Sequence, residues 1–305
     1  MSIQAKVGGI TLSSPLLLAS GTCNFGRELS EYIGFTEIGG ICSKGLTLSP
    51  RVGNEGCRVA ETSSGMLNSV GLQNPGVDYF IQNDLNFISS LGTRVIINVA
   101  GHSTEDYIQM AARLDEHKTR IDVLELNLSC PNVKEGCMII GSSPKEIREL
   151  VKKVRSVTSL PLWVKLTPNV TSITDTALAA QEGGADAVVA INTLMGMAID
   201  IRTRRPILRN NTGGLSGPAI KPVALRMVSE CYRVLDIPVV GCGGVMNHID
   251  VLEFMIAGAS AVEIGTALMI HPTAPVKIAE DLHRYTKNNN IKELSDIVGT
   301  LELWG

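Results

Sequence analysis

The chain has 305 residues, 44% hydrophobic and 19% charged, with a formal net charge of −3 and an isoelectric point near 6.0. This composition excludes a disordered chain and supports a sizeable core. With no basic surplus there is no compositional case for nucleic acid or an anionic membrane surface as partner. No stretch approaches a membrane span, and Pro15-Leu16-Leu17-Leu18-Ala19 is too short for a signal h-region, so a cytoplasmic protein is expected.

Eight short apolar segments follow one another, at 15–20, 39–45, 94–100, 123–129, 161–167, 187–193, 238–243 and 261–266. Each is followed by a segment able to hold a helix. The clearest helix opens at Ser143-Pro144-Lys145-Glu146, where Ser143 can cap, Pro144 suits the first turn and Glu146 completes a capping box. Ile147, Leu150, Val151 and Val154 then recur at helical spacing. Further helices are predicted at about 103–117, 172–183, 218–235, 248–257 and 273–287.

Strands that are apolar almost throughout belong to parallel sheets covered on both faces, and eight strand–helix units are the number that closes a (β/α)8 TIM barrel. Length alone suggests two domains, but such barrels reach this size as one unit, so a single domain over 1–305 is predicted. A doubly wound open sheet is the alternative. Three strand-to-helix connections are long, at 46–75, 130–143 and 194–217. Loops of that length are usually functional, and in a barrel all three converge on the C-terminal face, where the site is expected.

The seven cysteines, Cys23, Cys42, Cys57, Cys130, Cys137, Cys231 and Cys242, are odd in number and dispersed, which fits reduced thiols rather than a disulfide framework. None forms a C-x-x-C pair and the histidines do not cluster with them, so no metal site is expected. Cys130 lies in Asn127-Leu128-Ser129-Cys130-Pro131-Asn132, where the fourth apolar segment runs out and Pro131 blocks further pairing. A lone intracellular cysteine is most often a small core filler. Its company argues otherwise.

Every predicted strand ends in glycine or a polar group: Ser20-Gly21, Lys44-Gly45, Asn98, Asn127 with Cys130, Lys165, Asn192-Thr193, Gly243-Gly244 and Gly265-Thr266. One buried lysine or asparagine is ordinarily a satisfied structural group. Two lysines and three asparagines on inward-facing strand ends cost several kcal/mol (~2 or more each) unless partners exist, and a ligand rich in carbonyl and N–H groups supplies them. The glycines after the seventh strand, with Gly265 and Thr266 after the eighth, fit a phosphate site. Lys165 is placed to compensate charge on a ring that gains electrons, as a reduced flavin does; a barrel-core ion pair is the other reading.

The segments NLSCPNVKEG (127–136), SKGLTLSPRVGN (43–54), GMLNSVGLQNPG (65–76), VKLTPNV (164–170), TGGLSGPAIKPVALRMV (212–228) and GCGGV (241–245) resemble dihydroorotate dehydrogenases over essentially the whole chain. Within that family the chain is most similar to the catalytic subunit of the two-subunit, NAD-dependent class 1B. The VKEG after Asn132 differs from the fumarate-using class, and the quinone-using class has Ser at the place of Cys130.

The resemblance implies FMN contacts at Ser20, Gly21, Lys44, Gly45, Asn98, Asn127, Lys165, Ile191, Gly217, Gly243, Gly244, Gly265 and Thr266. It implies substrate contacts at Lys44, Asn68, Ser69, Val70, Gly71, Leu72, Asn127, Asn132, Asn192 and Thr193, with Cys130 as the catalytic base. It implies oxidation of dihydroorotate to orotate in pyrimidine biosynthesis. The implied assembly is a homodimer joined to an iron–sulfur subunit carrying FAD and a 2Fe–2S cluster, together a heterotetramer passing electrons to NAD. Other readings are a fumarate-using dihydroorotate dehydrogenase, a dihydropyrimidine dehydrogenase-like or tRNA-dihydrouridine synthase-like FMN barrel, and a non-catalytic scaffold barrel. Two stretches depart from the family pattern: Gly136-Cys137-Met138-Ile139-Ile140-Gly141 stands where a second glycine and an aromatic are usual. Gly53-Asn54-Glu55-Gly56-Cys57-Arg58 lacks the usual prolines, which suggests a looser loop.

Overall fold

The computed structural model describes residues 2–128 and 140–304. All eight apolar segments form strands: β1 (Leu16–Leu18), β2 (Gly40–Cys42), β3 (Arg94–Val99), β4 (Val123–Asn127), β5 (Leu162–Lys165), β6 (Ala187–Ala190), β7 (Val239–Cys242) and β8 (Ala259–Ile264). They pair in parallel, in chain order, and β8 closes on β1. This closure removes the open-sheet alternative.

Period-two alternation divides the barrel interior into two levels. The lower level is apolar, with Leu17, Ile96, Val123, Trp163, Ala187, Val240 and Ala261 in one cluster. Two residues further along the same strands come Asn98, Glu125, Lys165, Cys242 and Glu263, so the same face turns polar toward the C-terminal ends. The lower end is stoppered by an N-terminal hairpin, Ala5–Val7 with Ile10–Leu12, whose Ala5, Val7 and Leu12 join that cluster. Trp163 donates its indole N–H to the Gly8 carbonyl at 3.3 Å, and a Cβ at Gly8 would strike that nitrogen.

The outer layer comprises α1 (Val77–Asn83), α2 (Leu85–Ser89), α3 (Thr104–Asp115), α4 (Pro144–Arg155), α5 (Ile173–Glu182), α6 (Lys221–Tyr232), α7 (His248–Ile256), α8 (Thr266–Ile270) and α9 (Ala274–Asn288). In α4 the four apolar residues named above are buried and Ser143 accepts from the Glu146 amide. The Ser143 amide, however, turns to the Ile140 carbonyl, so the cap is one-sided. The reciprocal capping box occurs in α7, between Asn247 and Asp250.

Three connections differ from expectation. No α-helix follows β1, where only the 3₁₀ turn Leu29–Glu31 forms. Among the long loops, 46–75 and 194–217 are not structureless: Val59–Thr62, Gly65–Asn68, Leu194–Gly196 and Gly213–Ser216 make a four-stranded antiparallel sheet. Its centre is glycine-rich because the chains approach closely there; a Cβ on Gly214 would lie 2.1 Å from Thr193 Oγ1. Among the described residues no helix is long and apolar enough to cross a membrane.

Candidate active site

At the C-terminal ends of the strands lies a cavity of about 250 Å³. Ser20, Gly21, Lys44, Gly45, Asn127, Lys165, Ile191, Gly217, Gly243, Gly244, Gly265 and Thr266 all line it, as do Asn68 to Leu72, Asn192 and Thr193. The inner sheet strand Gly65–Asn68 and its partner Gly213–Ser216 supply Met66, Asn68, Gly214 and Ser216 to the same wall. A wider groove of about 1060 Å³ adjoins it, but of the strand-end residues only Gly21 and Lys44 reach that groove. The polar chemistry gathers in the smaller cavity.

Asn98 is placed differently from the expectation. It is fully buried beneath the cavity, because its side chain points back into the barrel toward Glu125. There it donates to Glu125 Oε1 at 2.5 Å and accepts from Asn127 Nδ2 at 3.3 Å, while Asn127 Oδ1 accepts from Asn192 Nδ2 at 3.3 Å. A carboxylate only accepts, so Asn98 must present its NH₂ downward, and each amide above it is turned the same way in sequence. Asn127 is also anchored from outside, where Tyr107 donates to its backbone carbonyl at 2.7 Å.

Lys165 both lines the cavity and forms the barrel-core ion pair. Its ammonium contacts Glu263 Oε2 and stands 4.0 Å from Glu125 Oε1. Burial opposes its charge, but the carboxylates Glu263 and Glu125 outweigh burial and hold the lysine protonated. Glu125 and Glu263, which hold Lys165, were not among the residues expected from the sequence. The signal was available: each is the lone charge within an otherwise apolar strand, VLELN and ASAVEI.

Lys44 is mostly buried and makes no ion pair with any described residue. Burial, with Arg58 nearby, pulls its pKa below the ordinary lysine value. The Ser69 hydroxyl is likewise buried without a hydrogen-bond partner among the described residues. An uncompensated ammonium and an orphaned hydroxyl at one cavity fit an anionic ligand with polar edges.

Opposite, Gly243 and Gly244 adopt φ of 132° and 80°, conformations closed to most side chains. A Cβ on Gly244 would press within 2.9 Å of the Gly217 carbonyl and the Lys221 amide. Thr266 Oγ1 donates to Ser216 Oγ at 2.8 Å, tying the eighth strand's end to the sheet over the cavity.

Cys130, Asn132 and Cys137 lie outside the described residues. At the end of the departing stretch Gly141 is buried against the Leu128 carbonyl, where a Cβ would be 1.9 Å away. The 53–58 loop is not loose: the Asn54 amide donates to the Val70 carbonyl and its side chain to Ser69 O at 2.8 Å, pinning the loop to the cavity wall without prolines.

Comparison with known proteins agrees with this geometry. The chain matches the family described as dihydroorotate dehydrogenase over residues 2–285. It is 48% identical over 303 residues to the protein of Caldicellulosiruptor bescii named dihydroorotate dehydrogenase B (NAD(+)), catalytic subunit, covering 99% of this chain and 100% of that one. A Thermoanaerobacter protein of the same name is 50% identical over 303 residues, with the same two shares covered. That of Geobacter sulfurreducens is 48% identical over 301 residues, covering 99% and 98%. The solved DHODH of Eimeria tenella, in complex with ferulenol, superposes with a TM-score of 0.80 at 21% identity, over 98% of this chain and 88% of that one, a likeness of fold. The chain belongs to the dihydroorotate dehydrogenase family.

Proposed function

We propose that the chain is the FMN-binding catalytic subunit of an NAD-linked dihydroorotate dehydrogenase, oxidising dihydroorotate to orotate in pyrimidine biosynthesis. The observation that carries this reading is one cavity holding an uncompensated Lys44, an aligned asparagine relay and a glycine cradle. FMN fits these residues: a Cβ on Gly45 would fill the cavity floor 2.8 Å from Asn98 Oδ1, and Gly217, Gly243, Gly244, Gly265 and Thr266 lie where a phosphate needs close backbone. When bound, FMN supplies two-electron acceptance.

Oxidation breaks one C–H bond at carbon 5 and one at carbon 6 of the ring and forms the double bond between them. Lys44 binds the substrate carboxylate. Asn127 and Asn192, held in one direction by Asn98 and Glu125, present donors and acceptors to the pyrimidine edge. Lys165 keeps positive charge beside the electron-accepting ring. Cys130 takes the carbon 5 proton on its sulfur. Buried cysteines elsewhere cannot do this at neutral pH: burial raises Cys23, Cys231 and Cys242 to about 12.

The relatives named as catalytic subunits support a second subunit, which we propose carries FAD and a 2Fe–2S cluster and joins a dimer of this chain. The test is the visible spectrum of the purified protein, followed by dihydroorotate without oxygen. A yellow protein that bleaches is expected. A colourless protein, or one that never bleaches, overturns the reading.

A further inference from the structure

Beneath the cavity the barrel holds two carboxylates and one ammonium. Glu125, Glu263 and Lys165 have side chains no more than 6% exposed. Glu263 Oε2 takes the ammonium; Glu125 Oε1 takes the Asn98 amide and the Cys42 thiol, the latter at 3.2 Å. The remaining oxygens, Glu125 Oε2 and Glu263 Oε1, are buried with no hydrogen-bond donor among the described residues. The two carboxyl groups nevertheless sit close together: oxygens of Glu125 and Glu263 and the Cys42 sulfur all lie within 4.8 Å of one another.

With both ionised, the cluster carries a net charge of −1, two like charges lie within 4.8 Å of each other and two acceptors stay orphaned. A single proton between them removes all three costs, since it turns one acceptor into a donor for the other. The other titratable groups facing the pair are Cys42 toward Glu125, Cys242 toward Glu263, and Cys23 with Glu28 behind it. The three thiols are raised by burial, Cys23 and Cys242 to about 12, and hold their protons. Lys165 holds its own. The carboxyl pair is left as the exchanging group. Burial, and then the charge of Glu125, push Glu263 up to about 8.

We propose that Glu125 and Glu263 share one proton and act as positioning residues for Lys165, setting the charge that the flavin site senses from below. This rests on FMN occupying the cavity above Lys165. With the proton held, the three groups are neutral together; once it leaves, a negative charge lies under a ring that must accept electrons. Reduction therefore draws a proton onto the pair at alkaline pH, in addition to any taken by the ring.

The experiment is a potentiometric titration of the flavin-loaded protein from about pH 6 to about pH 10, a range spanning the carboxyl and thiol values. Above about pH 8, the wild-type reduction equilibrium should fall by an extra factor of ten per pH unit, ~30 mV for a two-electron couple. E263Q and E125Q should each lose that extra slope and be easier to reduce than wild type at alkaline pH. Reduced-minus-oxidised infrared spectra of the wild type at the same pH should gain a protonated carboxyl band, absent from both variants. Parallel slopes in wild type and variants, or no carboxyl band, overturn the proposal. If neither variant folds, the wild-type slope and band decide it. A colourless protein instead refutes the FMN reading, whereas a yellow one with unaltered slopes refutes only the shared proton.

Discussion

Asn98 gives its side-chain amide to the buried carboxylate of Glu125 at 2.5 Å, and that contact sets the direction of two further amides above it. A residue with no surface in the cavity thereby orients those that line it. Asn98→Leu removes the donor from Glu125 and the acceptor from Asn127. Expected are a loss of ~1–3 kcal/mol in urea unfolding and a raised KM for dihydroorotate. An unchanged KM would show that Asn127 and Asn192 are oriented by other contacts.

Stability should depend on pH through Glu263. Its folded pKa, about 8, exceeds the ordinary value of 4.5, so the folded state binds more protons than the unfolded one between those limits. This contribution is fully present below about pH 4.5 and is lost as pH rises through about 8. Glu263→Gln should flatten that part of the curve, measured as denaturation midpoint against pH. An identical curve in the variant would discount the raised pKa.

Gly244→Ala should cost ~1–3 kcal/mol, because alanine tolerates φ of 80° poorly and its methyl group meets two backbone atoms. We expect a barrel with native far-ultraviolet circular dichroism and greatly reduced flavin content. Full flavin occupancy in the variant would remove this glycine from the phosphate cradle.

Binding of anionic orotate should weaken as pH rises through the lowered pKa of Lys44, at a lower pH than an ordinary lysine requires. Arg58 contributes to that lowering, so Arg58→Gln should move the inflection to higher pH. Equilibrium titrations of orotate against pH check this. An inflection unmoved by the substitution would leave burial alone as the cause.

Cys130→Ala should keep flavin bound and slow anaerobic bleaching by ~10²-fold or more, the usual range for a lost general base. In the wild type, bleaching should accelerate toward the ordinary thiol pKa of ~8.5. Bleaching at the wild-type rate in the variant would assign the proton to another group.

Eight strands and most helices were legible in the sequence, because apolar runs such as Val123–Asn127 and the Ile147, Leu150, Val151, Val154 stripe follow from backbone period alone. The strand-end lysines, asparagines and glycines were legible too, since polar groups at the ends of buried strands are exceptional. The sheet joining Gly65–Asn68 to Gly213–Ser216 was not, as its partners are ~150 residues apart and rich in glycine, which weakens any strand signal.

The sequence by itself determined eight strand–helix units with polar strand ends and a family resemblance spanning its length; closure into a barrel came from the tertiary structure. Only the tertiary structure decided that Asn98 supports the site from beneath, and that Lys165 is held by Glu125 and Glu263. The reason is physical. Periodicity states which face a side chain takes, whereas the meeting of charges from the fourth, fifth and eighth strands depends on closure of the barrel and the register of its strands.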